Sequence, residues 1–144
     1  MRVVLDTDVV VAALRSPSGA SAELIRMAQH RQIELLASVS LFIEYESVCF
    51  RQPHIDAAGL VPSDIGVFLD ALATFVKPVR IHFLWRPQLH DPADELVLEA
   101  AVNANADALL SFNQRHFMPA AQNFGLRMSQ PGPFLQEFLR GNPS

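Results

Sequence analysis

The sequence predicts an α/β domain, a three-layer α/β/α sandwich around a central parallel sheet. Three observations carry that expectation. Short apolar runs recur along the chain and read as strands buried on both faces. Segments with helical spacing separate them, so strands and helices alternate. Acids follow the first run at RVVLD and recur in HDPADE, just before an apolar helix. In parallel α/β sheets, ligand sites lie at the carboxyl ends of the strands.

Taken in order, RVVL at 2–5 is a buried strand ending on Asp6. DVVVAAL at 8–14 is a short helix, stopped by SPSG at 16–19. A second helix is expected from Ala20 to His30, with Leu24, Ile25, Met27 and Ala28 on its inner face. IELLA at 33–37 is the next strand, and Ser38 is a favourable N-cap for a helix over 39–50. That helix has no clean stripe, because Leu41, Ile43, Tyr45, Val48 and Phe50 do not share one face. A loop with Pro53 and Gly59 follows, and then a helix from Pro62 to Val76 built on Ile65, Phe68, Leu69 and Leu72. VRIHFL at 79–84 reads as a third strand. Asp91-Pro92 opens a helix to Asn105, and ALLSF at 108–112 is a fourth strand. A short strand at 126–129 and a helix at 133–140 complete a single domain over 1–140, with 141–144 a tail.

Composition narrows the function. Of the 144 residues, half are hydrophobic and 18% are charged, enough apolar material for one core. No apolar run reaches the ~18 residues of a membrane helix, and the start of the chain has no signal-peptide pattern. One cysteine excludes an internal disulfide framework and fits a reducing cytoplasm. The net charge of −4 argues against a binder that relies on phosphate neutralisation alone. The basic side chains are ten arginines and a single lysine, Lys77. Arginine forks suit phosphate or carboxylate partners.

The acids are the candidates for chemistry. Asp6 follows four core residues, where an unpaired carboxylate is costly; capping the next helix would also explain it. Asp8, two residues on, reads as a solvated or capping acid. Glu44 lies in the apolar stretch SLFIEYESV, and Glu46 is about 200° further round the helix, so only one of the two can easily face inward, and from this segment alone an ordinary surface glutamate is the favoured reading. In HDPADE, Asp91 is a natural N-cap, Pro92 fits the first helical position and Asp94 the third. After the fourth strand, Ser111 and Asn113 can position water or a phosphate oxygen, or simply shape the turn. Together these carboxylates make a hard oxygen site of the kind Mg²⁺ or Mn²⁺ prefers. The same ion makes mutually repelling acids tolerable.

Several segments in this order resemble one family. They are VVLDTDVVVAAL with SPSGASAELI, then ELLASVSLFIEYESV, HDPADELVLEAA and ADALLSFNQRHF, spanning roughly Arg2 to Leu139. The chain resembles PIN domains, and in particular the PIN-family toxins of prokaryotic toxin–antitoxin pairs. The resemblance implies a ribonuclease that uses Mg²⁺ or Mn²⁺, with Asp6, Glu44 and Asp94 as its acids and Asp91 as an additional ligand. Ser111 and Asn113 are then expected to position water or RNA, helped by arginines such as Arg15, Arg86 and Arg115. It also implies a protein that is often a homodimer and is held by a cognate antitoxin; exposed apolar positions on the first helices are candidates for the dimer contact. Two positions depart from the family pattern. Asp-Thr-Asp stands where Asp-Thr-Asn is more common, and Asn113 stands where many members carry a fourth acid. Members with Asn there tend to have an acid three residues later, at His116 in this chain.

Two other readings compete. The loss of the fourth acid fits a PIN-fold interaction module without catalysis. LDTDVV also matches the first motif of haloacid-dehalogenase-like phosphatases, with Asp6 as nucleophile and Asp8 as general acid, and Ser38 and Lys77 follow in a suitable order. A receiver domain fits less well, because it needs an acid at the end of its third strand and a lysine after a later one, and neither is present.

Overall fold

The computed structural model describes residues 1–84 and 86–141. Residues 142–144 of the expected tail lie outside them. Strand β1 (Arg2–Leu5) sits at the centre of a five-stranded sheet. Strands β2 (Glu34–Ala37) and β3 (Lys77–Pro78) extend it on one side, and β4 (Ala108–Leu110) and β5 (Met128–Ser129) on the other. The order is β3-β2-β1-β4-β5, and every pairing is parallel. The register sets Val3 opposite both Leu35 and Ala108. Val3, Val4, Leu109 and Leu110 are wholly buried, as expected of central parallel strands covered on both faces.

The helices are α1 (Thr7–Arg15), α2 (Ala20–Gln29), α3 (Val39–Cys49), α4 (Gln52–Ala58) and α5 (Pro62–Phe75). They continue with α6 (Pro92–Asn103), a 3-10 turn (Gln114–Phe117), α7 (Ala120–Asn123) and α8 (Pro131–Leu139). They flank the sheet to give the expected three-layer sandwich. Helix α6 packs on β1, β2 and β4, and α3 packs between α1 and α6. Ser38 caps α3 through its side chain, accepting from Leu41 N at 3.1 Å. Tyr45 of α3 is fully buried and donates its hydroxyl to the Leu5 carbonyl, tying α3 to the strand that carries the site. Burial, with Asp6 nearby, holds its phenol well above the ordinary range, so it stays a neutral donor.

Two expectations need correction. The strand expected over 79–84 is not formed; β3 pairs only at Lys77 and Pro78 with Leu36 and Ala37. The polar groups of the following chain are met by a side chain instead. The Asn103 carbonyl oxygen accepts from His82 N and Phe83 N, and its amide donates to the Phe83 carbonyl. Second, the loop expected over 51–61 contains α4, which Gly59 ends in the left-handed conformation at φ 68°. The apolar positions of α1 and α2 are mostly buried, whereas Val39 and Ile43 of α3 and Phe50, its C-cap, are exposed. No single helix among the described residues is long and apolar enough to cross a membrane.

Candidate active site

The chain passes from β1 into α1 with no intervening loop. Asp6 has extended backbone geometry (ψ 153°), so it serves as the N-cap of α1, and its Oδ1 accepts from Thr7 N at 2.7 Å. Its backbone N donates to the Leu110 carbonyl, which fixes it against the end of β4. The Asp6 carboxylate is therefore pinned where two central strands end, only 6% exposed. Its other oxygen, Oδ2, accepts from Ser111 Oγ at 2.6 Å.

An open cleft of about 670 Å³ begins there. Asp6, Asp8, Asp91, Asp94, Asn113 and His116 line its acidic part, and Arg15, Arg51 and His54 another. A second depression, toward Leu89 and Arg115, shares Asp91, Asp94 and His116 with it. The two form one groove that passes over the acids. Asp91 caps α6 by accepting from Ala93 N at 2.8 Å, and Asp94 follows in the first turn. The cap and the cleft use the same short segment, as its sequence allows.

The acids raise one another's proton affinity. Burial first, and then the neighbouring Asp6 charge, push the Asp8 carboxyl up to about 7. Burial, Asp6 and Asp91 push Asp94 up to about 6, although His116 Nδ1, 3.6 Å from Asp94 Oδ2, works the other way. Asp6 is raised too, mainly by burial. Acids crowded in this way fit a cation, because positive charge removes the repulsion that otherwise keeps protons on them. Among the described residues, no group of three or more His, Cys, Asp or Glu side chains is disposed to hold a metal. The oxygen donors that line the cleft, Asp6, Asp8, Asp91 and Asp94, are of the kind taken by an ion that keeps much of its own water, as Mg²⁺ does.

Four of the six expected site residues, Asp6, Asp91, Asp94 and Asn113, meet in the cleft. The other two do not line it. Ser111 is wholly buried beneath the cleft. Its hydroxyl donates to Asp6 and accepts from Asn113 N at 2.8 Å, so it orients Asp6 and does not touch water or RNA directly, contrary to expectation. Glu44 is half-buried on α3, one helical turn before Val48, which does line the cleft. Asn113 spends its amide on Asp8, donating to Oδ2 at 3.0 Å.

Arg86 also departs from expectation: its guanidinium forks onto the buried Glu99 carboxylate and is not free for a strand. Glu95, buried one turn from Glu99, accepts from Gln88 N and Leu89 N and holds the loop that walls the second depression. Arg51 and His54 were not foreseen, because α4 was not. Arg15 and Arg51 meet no carboxylate at ion-pair distance among the described residues. Burial and these two cations hold His54 below its ordinary range, as a neutral imidazole.

The arrangement does not suit an aspartyl-phosphate chemistry. Lys77 is paired with Glu34 on the edge strand, and Ser38 is buried as the cap of α3, so neither reaches Asp6's cleft. A family model described as PIN domain matches residues 2–115, well over half of the chain. No curated protein matches it.

Proposed function

The chain belongs to the PIN-domain family, whose members are generally nucleases, and from that premise we propose that it is a Mg²⁺- or Mn²⁺-dependent endoribonuclease. The observation that carries the reading is the groove in which Asp6, Asp91 and Asp94 are brought together at the ends of β1 and the start of α6. Asp6 and Asp94 would hold the ion, with Asp91 assisting and Glu44 contributing through water from α3. When bound, such an ion offsets the charge that develops on a phosphodiester and makes water a stronger nucleophile.

The remaining work falls to the protein's own groups. Ser111 and the α1 backbone fix the Asp6 carboxylate in one orientation. Asp91 caps α6 and Asp94 sits in its first turn, so the start of the helix fixes both along the groove. Arg15 and Arg51 supply unpaired positive charge to the cleft, where a strand's phosphates would lie. Sequence resemblance to PIN-family toxins supports the narrower proposals: a toxin's place beside an antitoxin, a homodimer and a cytoplasmic location.

The test is cleavage of single-stranded RNA by purified protein. Cleavage is expected with Mg²⁺ or Mn²⁺ and should stop with EDTA. Undiminished cleavage in EDTA would refute the metal-dependent reading. No cleavage with either ion, in protein that still binds RNA, would favour an interaction module, the reading that Asn113 at the usual fourth-acid position supports.

The arginines give a second expectation. Each phosphate contact to a single strand contributes about 0.7 to the slope of log affinity against log salt. Arg15→Ala with Arg51→Ala should therefore weaken RNA binding and flatten that slope by about 1.4. Filter binding across a salt series measures it, and an unchanged slope would remove both arginines from the RNA path.

A further inference from the structure

Asp8 and Asn113 are 3.0 Å apart through Asp8 Oδ2 and the Asn113 amide. The same oxygen accepts from Phe112 N, also at 3.0 Å. Two donors from the far end of the chain thus fix one oxygen of Asp8. The other, Oδ1, is buried and receives no hydrogen bond from any described group. A buried orphan acceptor in a native fold calls for an explanation, and Asp8 lines the cleft together with Asp6, Asp91 and Asp94.

Asn113 is itself held. Its backbone N donates to Ser111 Oγ, whose proton goes to Asp6 Oδ2. Asp6, Ser111, Asn113 and Asp8 thus form one hydrogen-bonded chain with an acid at each end. An amide at 113 can donate to an acid at 8, and an acid at 113 would accept from an amide at 8. The contact is the same either way, and so is the number of carboxylates in the cleft.

We propose that Asp8 is the fourth carboxylate of the cation site, and that Asn113 is the positioning residue that aims it. The acid and the amide have exchanged places across one hydrogen bond, relative to the more common pattern of amide at 8 and acid at 113. This rests on the metal-dependent reading above. It means that the site has not lost its fourth acid.

The test compares wild type, Asp8→Asn, Asn113→Asp and the double variant that exchanges the two residues. Mn²⁺ affinity is read by calorimetric titration and by the Mn²⁺-induced rise in melting temperature, with RNA cleavage alongside. Asp8→Asn is expected to weaken Mn²⁺ binding by about tenfold or more, as even outer partners of metal ligands do when altered. It should fold, because Asn keeps an oxygen for Phe112 N and Asn113. Should it not, Asp8→Ser replaces it in the comparison.

The exchanged double variant is expected to bind Mn²⁺ within about threefold of wild type, a rescue that a purely structural role for Asp8 would not produce. Wild-type affinity in Asp8→Asn would overturn the proposal. So would a double variant no better than Asp8→Asn. If wild type binds no Mn²⁺, the metal-dependent reading fails and takes this inference with it. If wild type binds and Asp8→Asn binds equally, this inference alone fails.

Discussion

Asp6→Asn is expected to lower metal-dependent RNA cleavage about 10³-fold or more while making the metal-free protein slightly more stable. The first half follows from position. Asp6 is the most buried of the cleft acids and adjoins both Asp8 and Asp94. Removing its charge forfeits several kcal/mol of charge stabilisation that a bound ion supplies, and each ~1.4 kcal/mol is tenfold in rate. The second half follows from the cap. Asn caps a helix as well as Asp does, so the bond from Thr7 N survives. The repulsion with Asp8 does not survive.

The pH dependence has a definite sign. Asp6 and Asp8 take up protons in the folded protein above the ordinary carboxylate range, Asp8 up to about 7. A raised folded value means that the metal-free fold loses stability as pH rises through that window. Asp6→Asn should relieve the loss at pH 8 and do little near pH 3. Thermal melts at the two pH values, without metal, measure this; each relieved kcal/mol is worth about 2–4 °C. Asp94→Asn should lose cleavage to a similar degree. Glu44→Gln should lose less, because Glu44 does not line the cleft. Full cleavage by Asp6→Asn at saturating Mn²⁺ would refute the site.

Much of this site could be read from local sequence, because local geometry makes it. Asp6 directly after RVVL, and Asp91-Pro92 before an apolar helix, each state their own backbone conformation, and both are where expected. What could not be read depended on distant partners. Asp8 looked like a surface cap because its donors, Phe112 and Asn113, are more than 100 residues away in the chain. The hint was that two departures from the family pattern, at 8 and at 113, were opposite in sign. The run at 79–84 had strand-like residues, yet the Asn103 side chain satisfies its backbone in place of a neighbouring strand. Ser111 was legible as a site residue, but whether it faces the cleft or the core depends on packing that its own segment does not encode.

The site also depends on a core residue that is not part of the chemistry. Phe117 is wholly buried at the end of the 3-10 turn that carries Arg115 and His116, and this turn packs against α6. Asn113 caps the same turn, so the anchor that holds it also holds the amide facing Asp8. Phe117→Ala is expected to cost about 3–5 kcal/mol, the range for emptying a buried aromatic site. Against a total stability of about 5–15 kcal/mol, that lowers the melting temperature by roughly 10 °C or more. Mn²⁺ affinity and cleavage should fall even at a temperature where the variant remains folded, because the 113–116 segment loses its attachment while Asp6 and Asp94 keep theirs. Phe117→Leu retains most of the buried volume and should lose much less of both. Urea unfolding measures the first effect, and calorimetric titration of the folded variant the second. A loss below about 1 kcal/mol would show that the turn is not anchored through Phe117. A large loss of stability with unchanged Mn²⁺ affinity would separate the turn's anchoring from the cation site.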